Sequence, residues 1–181
     1  MSKVVLYIAT SLDGFIARPD GNLDWLNAVS PPQLGDYGYT ALLNSISAVI
    51  MGRKTYEEVI GFGIDWPYAQ FDTYVVTGKP IFVPQSPRTC PLTTVQVPEF
   101  INRFKQQSDK DIWLVGGGQL NTFFINNGLL DKMIITVIPK IIGGGIPLFA
   151  QNTAETDWQL VHTEVFETGV VNLTYHKIIT A

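Results

Sequence analysis

The sequence predicts an α/β fold in which a mixed, mostly parallel sheet is covered by helices on both faces and closed by an antiparallel hairpin. Short β-branched runs alternate with segments of helical periodicity along most of the chain, which is typical of parallel sheets with crossover helices. The first run, 3–9, is apolar at every position after Lys3, as expected of a strand buried on both faces. The tail alternates in polarity and breaks at Thr168-Gly169, which predicts the hairpin.

The individual elements follow from periodicity and from turn residues. Strands are predicted at 3–9, 47–51, 73–76, 111–115 and 133–138, followed by the hairpin arms 158–168 and 170–178. Helices are predicted at 39–45, 55–60, 98–107 and 119–127, and turns at 10–22 and 143–145. Pro98 suits the first turn of its helix, and Gly128 ends the last one. No repeat, low-complexity run or linker interrupts the pattern, so we expect a single domain over 1–181.

Composition argues against several functional classes. The chain has 181 residues with 46% hydrophobic residues, and its net charge of −4 leaves no basic stripe for nucleic acid. Cys90 is the only cysteine, and His162 and His176 are the only histidines, so we expect no internal disulfide and no metal site. The apolar stretch near the start, about seven residues long, is too short for a signal or membrane span. We therefore expect a cytoplasmic protein that binds neither membranes nor nucleic acid.

Two strand-to-helix junctions carry the main functional signal, Gly52-Arg53-Lys54-Thr55 and a run of three glycines at 116–118. Helix starts present unpaired N–H groups to phosphate, glycine permits close backbone approach, and arginine offers a planar fork of donors. Each feature alone also has an ordinary explanation as a turn or as solvated charge. Because open α/β sheets bind ligands at the carboxyl ends of their strands, together they predict a site for a phosphorylated dinucleotide. The pattern Gly-x-Gly-x-x-Gly is absent, which argues against an ordinary Rossmann domain.

Five ordered segments carry a family resemblance: 9–17 (ATSLDGFIA), 51–57 (MGRKTYE), 115–118 (VGGG), 129–131 (LLD) and 135–139 (ITVIP). On these segments the chain resembles the dihydrofolate reductase-like superfamily over nearly its whole length. Within it, the chain is most similar to the reductase domain of the bifunctional riboflavin-biosynthesis deaminase–reductases and to their stand-alone relatives. The resemblance implies a three-layer α/β/α fold, NADPH as cofactor and hydride transfer to a small heterocyclic substrate of the pterin or pyrimidine type. It also implies a homodimer, for which the apolar segment 141–149 is the candidate interface.

The resemblance further implies how the cofactor is held. Arg53 and Lys54 would face the 2′-phosphate of NADPH, Gly52 would permit its close approach, and Thr55 would meet the pyrophosphate. The other implied cofactor contacts are Ala9 at the nicotinamide, Thr77 and Gly78 near the adenosine phosphate, and Gly116, Gly117, Gly118, Gln119 and Leu120 as a second phosphate cradle.

The substrate side rests on fewer signals. Thr136 matches a threonine that lies beneath the substrate in dihydrofolate reductases, or is an ordinary strand threonine. Trp25 is a core residue or part of the pocket wall. Asp24 is the candidate acid, because apolar neighbours would raise its pKa, and capping of a short helix is the alternative. Asp13 is the second candidate, or a residue that only shapes its turn.

Departures from the family patterns bear on the substrate. Dihydrofolate reductases carry an arginine that clamps the folate glutamate just before the third strand, and this chain has no arginine between Arg53 and Arg88. Riboflavin reductases commonly have a glutamate before their paired glycines, where this chain has Gly116, and the zinc-binding deaminase half is missing. We expect a 5-amino-6-(5-phosphoribosylamino)uracil-type pyrimidine as the substrate, with dihydrofolate second. A nucleotide-binding module without catalysis is the alternative of another class.

Overall fold

The structure is a computed structural model in which residues 2–29, 36–79 and 84–178 are described. The strands of this part are β1 (Val4–Ser11), β2 (Phe15–Ala17), β3 (Ile46–Gly52), β4 (Asp72–Val76), β5 (Thr89–Leu92), β6 (Asp111–Gly116), β7 (Lys132–Ile138), β8 (Ile146–Pro147), β9 (Trp158–Val165) and β10 (Val171–Lys177). The helices are α1 (Tyr39–Ser45), α2 (Arg53–Gly61), α3 (Val97–Gln107) and α4 (Gly118–Asn126), with a 3-10 helix at Asp24–Val29.

An eight-stranded sheet in the order β5-β4-β3-β6-β1-β7-β10-β9 forms the centre of the fold. The strands from β5 to β7 in this order are parallel to one another, whereas β10 is antiparallel to both β7 and β9. The predicted mixed sheet with a C-terminal antiparallel hairpin is therefore confirmed. The parallel order brings the carboxyl ends of β1, β3 and β6 to one edge of the sheet.

The core lies on both faces of the sheet because successive strand residues point to opposite sides. On one face, α3 and α4 contribute Phe100, Ile101 and Phe124, which pack in one cluster with Leu6 and Leu114. On the other face, α1 and α2 contribute their own buried residues, Leu42, Tyr56 and Val59, to a cluster around Val49 and Trp113. Burial on both faces explains why the central strands are continuous apolar runs rather than alternating ones.

The structure adds elements that the sequence did not predict. β5 contains Pro91 and lies at the edge of the sheet, where a missing N–H is tolerated. β2 and β8 pair with each other in a separate two-stranded sheet, although β2 falls inside a segment predicted as a turn. The helix α2 begins at Arg53, two residues before the predicted start, because it follows β3 without a connecting loop.

Two general findings concern binding partners. None of the described helices is long and apolar enough to cross a membrane. Across residues 2–29, 36–79 and 84–178, no three His, Cys, Asp or Glu side chains come together in a way that could hold a metal ion.

Candidate active-site cleft

A cleft of about 1050 Å³ lies where β1, β3 and β6 end and where α2 and α4 begin. Ligand pockets usually measure about 300–1,000 Å³, so the cleft has room for a cofactor and a substrate together. Nine of the residues with a predicted cofactor role line it: Ala9, Gly52, Arg53, Lys54, Thr55, Gly117, Gly118, Gln119 and Leu120. The topology of the sheet thus brings both predicted junctions to one cavity.

The two junctions are joined by a hydrogen bond. The Gly117 N–H donates to the Thr55 hydroxyl oxygen at 3.1 Å. Thr55 lies in the first turn of α2, and Gly117 immediately precedes α4. The bond holds the starts of the two helices together, so the N–H groups that each helix leaves without an internal partner are concentrated at one end of the cleft. We call the surface formed by 52–55 and 117–120 the junction end.

Packing within the chain explains why residue 118, in the run of three glycines, is a glycine. A Cβ atom on Gly118 would lie only 2.2 Å from the carbonyl oxygen of Pro147, because β8 passes over the start of α4. The Asn121 side-chain amide donates to the Leu148 carbonyl at 2.9 Å and holds the same segment in place. Glycine at 118 is therefore required by packing within the chain, whether or not a cofactor also approaches it.

The cations of the cleft are concentrated at the junction end. Among the described residues that line the cleft, Arg53 and Lys54 are the only basic ones. Arg53 Nη1 lies 2.7 and 2.6 Å from the two carboxylate oxygens of Glu57, and the Lys79 ammonium lies 3.8 Å from the same carboxylate. The Arg53 guanidinium lowers the pKa of Glu57, with a smaller effect of Lys79. An anionic ligand group would be attracted to this end, where it would compete with Glu57 for Arg53.

Another part of the cleft lining is aromatic. It consists of Tyr7, Phe62, Tyr68 and Trp113, and we call it the aromatic end. The rings of Tyr7 and Tyr68 meet that of Trp113 edge to face at centroid distances of 6.1 and 5.4 Å. Burial raises the pKa of Tyr7 to about 12 and also raises the pKa of Tyr68. Both phenols are therefore neutral near pH 7, and this end offers flat apolar walls suited to a planar ring.

Glu58 is a cleft residue that the sequence does not predict. It supplies the single carboxylate among the described residues of the cleft lining, and burial raises its pKa. Lys54, Glu58 and Phe62 recur every four residues, so they lie on one face of α2. That spacing was present in the sequence, but only the structure shows that this face borders the cleft.

Asp24 lies outside the cleft lining. Its carboxylate pairs with Arg18, with the guanidinium nitrogens Nε and Nη2 at 2.5 and 3.2 Å, and its side chain is 52% exposed. The hydrogen bond from Arg18 lowers the pKa of Asp24. The expectation that apolar neighbours raise this pKa is wrong, because Trp25 is turned into the core while the carboxylate faces Arg18 and solvent.

Asp13 also lies outside the cleft lining and connects two loops. It accepts hydrogen bonds from the Ser11 hydroxyl at 2.6 Å and from the backbone N–H groups of Ile142 and Gly143 at 3.1 and 2.8 Å. These bonds, that from Ser11 foremost, lower its pKa. The contacts match the alternative prediction for Asp13, a residue that only shapes its turn.

The remaining predicted site residues also lie outside the cleft lining. Trp25 is fully buried and packs with Ile138 and Val170, so it belongs to the core rather than to the pocket wall. Thr136 is buried and donates to the Asn172 side-chain oxygen at 2.7 Å, as an ordinary strand threonine can. The others are Gly116 at the end of β6, and Thr77 and Gly78 just after β4.

Solved structures place the fold in a known class. A structure from Shewanella sp. PV-4, whose name assigns it provisionally to riboflavin biosynthesis, aligns with a TM-score of 0.86 and 31% identity over 98% of this chain and 99% of that one. Enterococcus faecalis dihydrofolate reductase, complexed with NADP(H) and RAB-propyl, aligns with a TM-score of 0.67 and 22% identity over 97% and 96%. At 22% identity, the similarity to dihydrofolate reductase shows a shared fold and nothing more. The fold is that of the dihydrofolate reductase-like α/β proteins.

Sequence comparison identifies the family within that class. The model of the RibD C-terminal domain matches residues 67–172. The chain is 39% identical to the uncharacterized protein YwjB of Bacillus subtilis (strain 168), over 93% of this chain and 94% of that protein. It is 32% identical to the uncharacterized protein YyaP of the same organism, over 96% and 94%. The chain belongs to the RibD C-terminal domain family, the reductase family that its sequence resembles.

Proposed function

We propose that this protein is an NADPH-dependent reductase that transfers hydride to a small heterocycle in the cleft. The observation that carries the proposal is the junction end, where two helix starts joined by the Thr55–Gly117 hydrogen bond lie beside the only two cations of the described cleft lining. Unpaired N–H groups and a guanidinium are the groups that bind phosphates best. The residues present therefore fit a phosphorylated dinucleotide.

In this proposal each part of the cleft has a task. Arg53 and Lys54 bind the 2′-phosphate, and Thr55 with the 117–120 segment binds the pyrophosphate, while Ala9 borders the nicotinamide. NADPH, when bound, supplies the hydride, and the protein supplies binding and orientation. The rings of Tyr7, Tyr68 and Trp113 provide walls that exclude water and hold a flat substrate.

The first substrate to test is a 5-amino-6-(5-phosphoribosylamino)uracil-type pyrimidine. Membership of the RibD C-terminal domain family supports it, as does the likeness to the Shewanella protein. The test measures NADPH consumption by the purified protein across aminopyrimidine ribosides, dihydropterins and dihydrofolate. Turnover with an aminopyrimidine is the expected result. Tight NADPH binding without turnover on any of these compounds would instead favour a nucleotide-binding module that lacks catalysis.

Dihydrofolate is the second candidate, supported by the fold shared with dihydrofolate reductase. Arg88 is the next arginine after Arg53, but it pairs with Asp72 at 2.9 to 3.0 Å and does not line the cleft. Among the described residues, a folate glutamate would thus find no arginine at the aromatic end. We expect dihydrofolate and a tail-less dihydropterin to be reduced with similar kcat/KM, and a strong preference for the glutamylated compound would promote this candidate.

We also propose a two-fold homodimer and a cytoplasmic location. The segment 141–149 supports the dimer only in part, because Leu148 and Phe149 pack against the core of the same chain. Ile141 is 70% exposed and remains available for a contact between copies. Light scattering at micromolar concentration should give the mass of a dimer, and a monomer mass would contradict the proposal.

A further inference from the structure

One wall of the cleft is a single face of α2. Lys54, Thr55, Glu58, Val59 and Phe62 all line the cleft. A helix rises 1.5 Å per residue, so Glu58 lies about 4.5 Å beyond Thr55 and about 6 Å before Phe62 along the axis. Thr55 belongs to the junction end and Phe62 to the aromatic end. The carboxylate of Glu58 is therefore attached to the wall between the two ends, where a cofactor and a substrate would meet.

Glu58 differs from its neighbour Glu57 in its partners. Glu57 is bound by Arg53 and approached by Lys79, whereas Glu58 makes no hydrogen bond and no ion pair within the described part of the chain. Lys54, one turn earlier on the same face, still lowers the pKa of Glu58, but burial outweighs it and raises the pKa. Two carboxylates that are adjacent in sequence thus have different surroundings, and the one in the cleft retains its acceptor capacity.

The turn at 18–22 approaches this carboxylate from the other side. A Cβ atom on Gly21 would lie 2.7 Å from Glu58 Oε1, and Gly21 has a φ of +88°. Pro19 and Leu23, which flank Gly21, also line the cleft. The absence of a side chain at Gly21 leaves space for the carboxylate between α2 and the turn, while Glu58 as a whole remains exposed.

The carboxylate of Glu58 restricts which hydrogen-bonding edge of a ligand it can bind. An ionised carboxylate only accepts hydrogen bonds, and its two oxygens match two parallel N–H donors. A flat ring held by Tyr7, Tyr68 and Trp113 meets this requirement if it has a ring N–H next to an amino group. 6-Aminouracils and pterins both have such an edge, whereas uracils without an amino group do not.

We infer that Glu58 is a specificity-determining residue that accepts hydrogen bonds from an adjacent N–H and amino group on the edge of the heterocyclic substrate. This inference rests on the proposed function, because that function places a heterocycle in the cleft. It adds which hydrogen-bonding edge the heterocycle must have. Replacement by glutamine removes one acceptor and introduces a donor that faces the ligand's amino group. The volume of the side chain is nearly conserved, so the fold should be unaffected.

The test is binding of two small probes, measured by titration calorimetry on the full chain. 6-Aminouracil has the proposed edge, and 6-methyluracil replaces its amino group by a methyl group. The wild-type protein should bind 6-aminouracil about tenfold or more tightly than 6-methyluracil, as expected for hydrogen bonds to a charged group. Glu58→Gln should reduce this ratio to about one. Glu99→Gln, at an exposed position of α3 outside the cleft lining, should retain the wild-type ratio.

The possible results separate this inference from the proposed function. A wild-type ratio near one, including failure of both probes to bind at millimolar concentration, would overturn the role of Glu58. A Glu58→Gln variant that retains the wild-type ratio would do the same. Selective binding that is lost in Glu58→Gln, without NADPH turnover on any pyrimidine or pterin, would support the role of Glu58 and overturn the reductase proposal instead.

Discussion

The two ends of the cleft are built in different ways. The junction end is held by contacts of the backbone: Gly118 beneath the Pro147 carbonyl and the Gly117 N–H on Thr55. The aromatic end is made of side chains from separate elements, such as Tyr7 on β1 and Trp113 on β6, and Glu58 lies on the wall between the two ends. Backbone contacts constrain residue type strongly, so a change at Gly118 should disturb both the fold and cofactor binding. At the aromatic end Tyr68 and Trp113 are buried in the core, so changes there should disturb the fold as well as substrate binding. A change at Glu58, on the wall between the two ends, should alter substrate choice alone.

The largest effect is expected at Gly118. In Gly118→Ala the added Cβ would collide with backbone at Pro147, which cannot move without displacing β8. Overpacking of this kind costs about 1–3 kcal/mol or more, so the melting temperature should fall and NADPH binding should be lost. Gly61→Ala is the control, because its Cβ would meet no atom within 4 Å, and its melting temperature should be unchanged or raised. Wild-type stability and cofactor affinity in Gly118→Ala would contradict the backbone account of this end.

Arg53→Ala should affect the cofactor but not the fold. A hydrogen bond to a charged group contributes enough that NADPH should bind about ten- to a hundredfold more weakly. NADH, which lacks the 2′-phosphate, should bind almost as before. Arg103→Ala, at an exposed position of α3, is the control in the same titrations. Equal losses for NADPH and NADH would refute the assignment of Arg53 to the 2′-phosphate.

Asp13→Asn should change stability in a pH-dependent manner and leave both ends of the cleft intact. The hydrogen bonds from Ser11, Ile142 and Gly143 lower the pKa of Asp13 in the folded protein. A lowered folded pKa means that the stabilisation is present above the unfolded pKa, about 3.9, and is lost as the pH falls through the folded value. The variant should therefore melt below the wild type near pH 7, and the two should converge in acid. A difference that does not change with pH would show that the charge of Asp13 is unimportant.

The smallest effect is expected for Asp24→Asn. The carboxylate is half exposed, pairs with Arg18 and lies outside the lining of both ends of the cleft. Turnover should remain within about twofold of the wild type because Asp24 does not line the cleft, and stability should change little because exposed ion pairs contribute little. A loss on the order of a hundredfold, with NADPH affinity unchanged, would restore Asp24 as the proton donor.

The sequence could indicate the junction end because its signals are local. Its signals lie within three residues of the end of a strand: Arg53 and Thr55 after β3, and Gly117 and Gly118 after β6. A strand-to-helix junction is recognisable from such adjacent residues. It could not indicate Glu58, because an exposed glutamate on an amphipathic helix has the same local pattern whether it faces water or a cleft. The prediction of a raised pKa for Asp24 is wrong for a related reason. The hydrogen bond from Arg18 lowers this pKa, and the polarity of the sequence neighbours does not reveal that partner.

The sequence by itself determined the alternation of strands and helices along the chain apart from the short strands β2, β5 and β8, the closing hairpin and the two glycine-containing strand-to-helix junctions, because periodicity and turn chemistry act over a few residues. The tertiary structure decided which of these junctions meet, that Pro91 lies in an edge strand, and that β8 passes over Gly118. It also decided which carboxylate enters the cleft. These features depend on contacts between segments far apart in the chain, and burial and charge at such contacts are set by the whole fold.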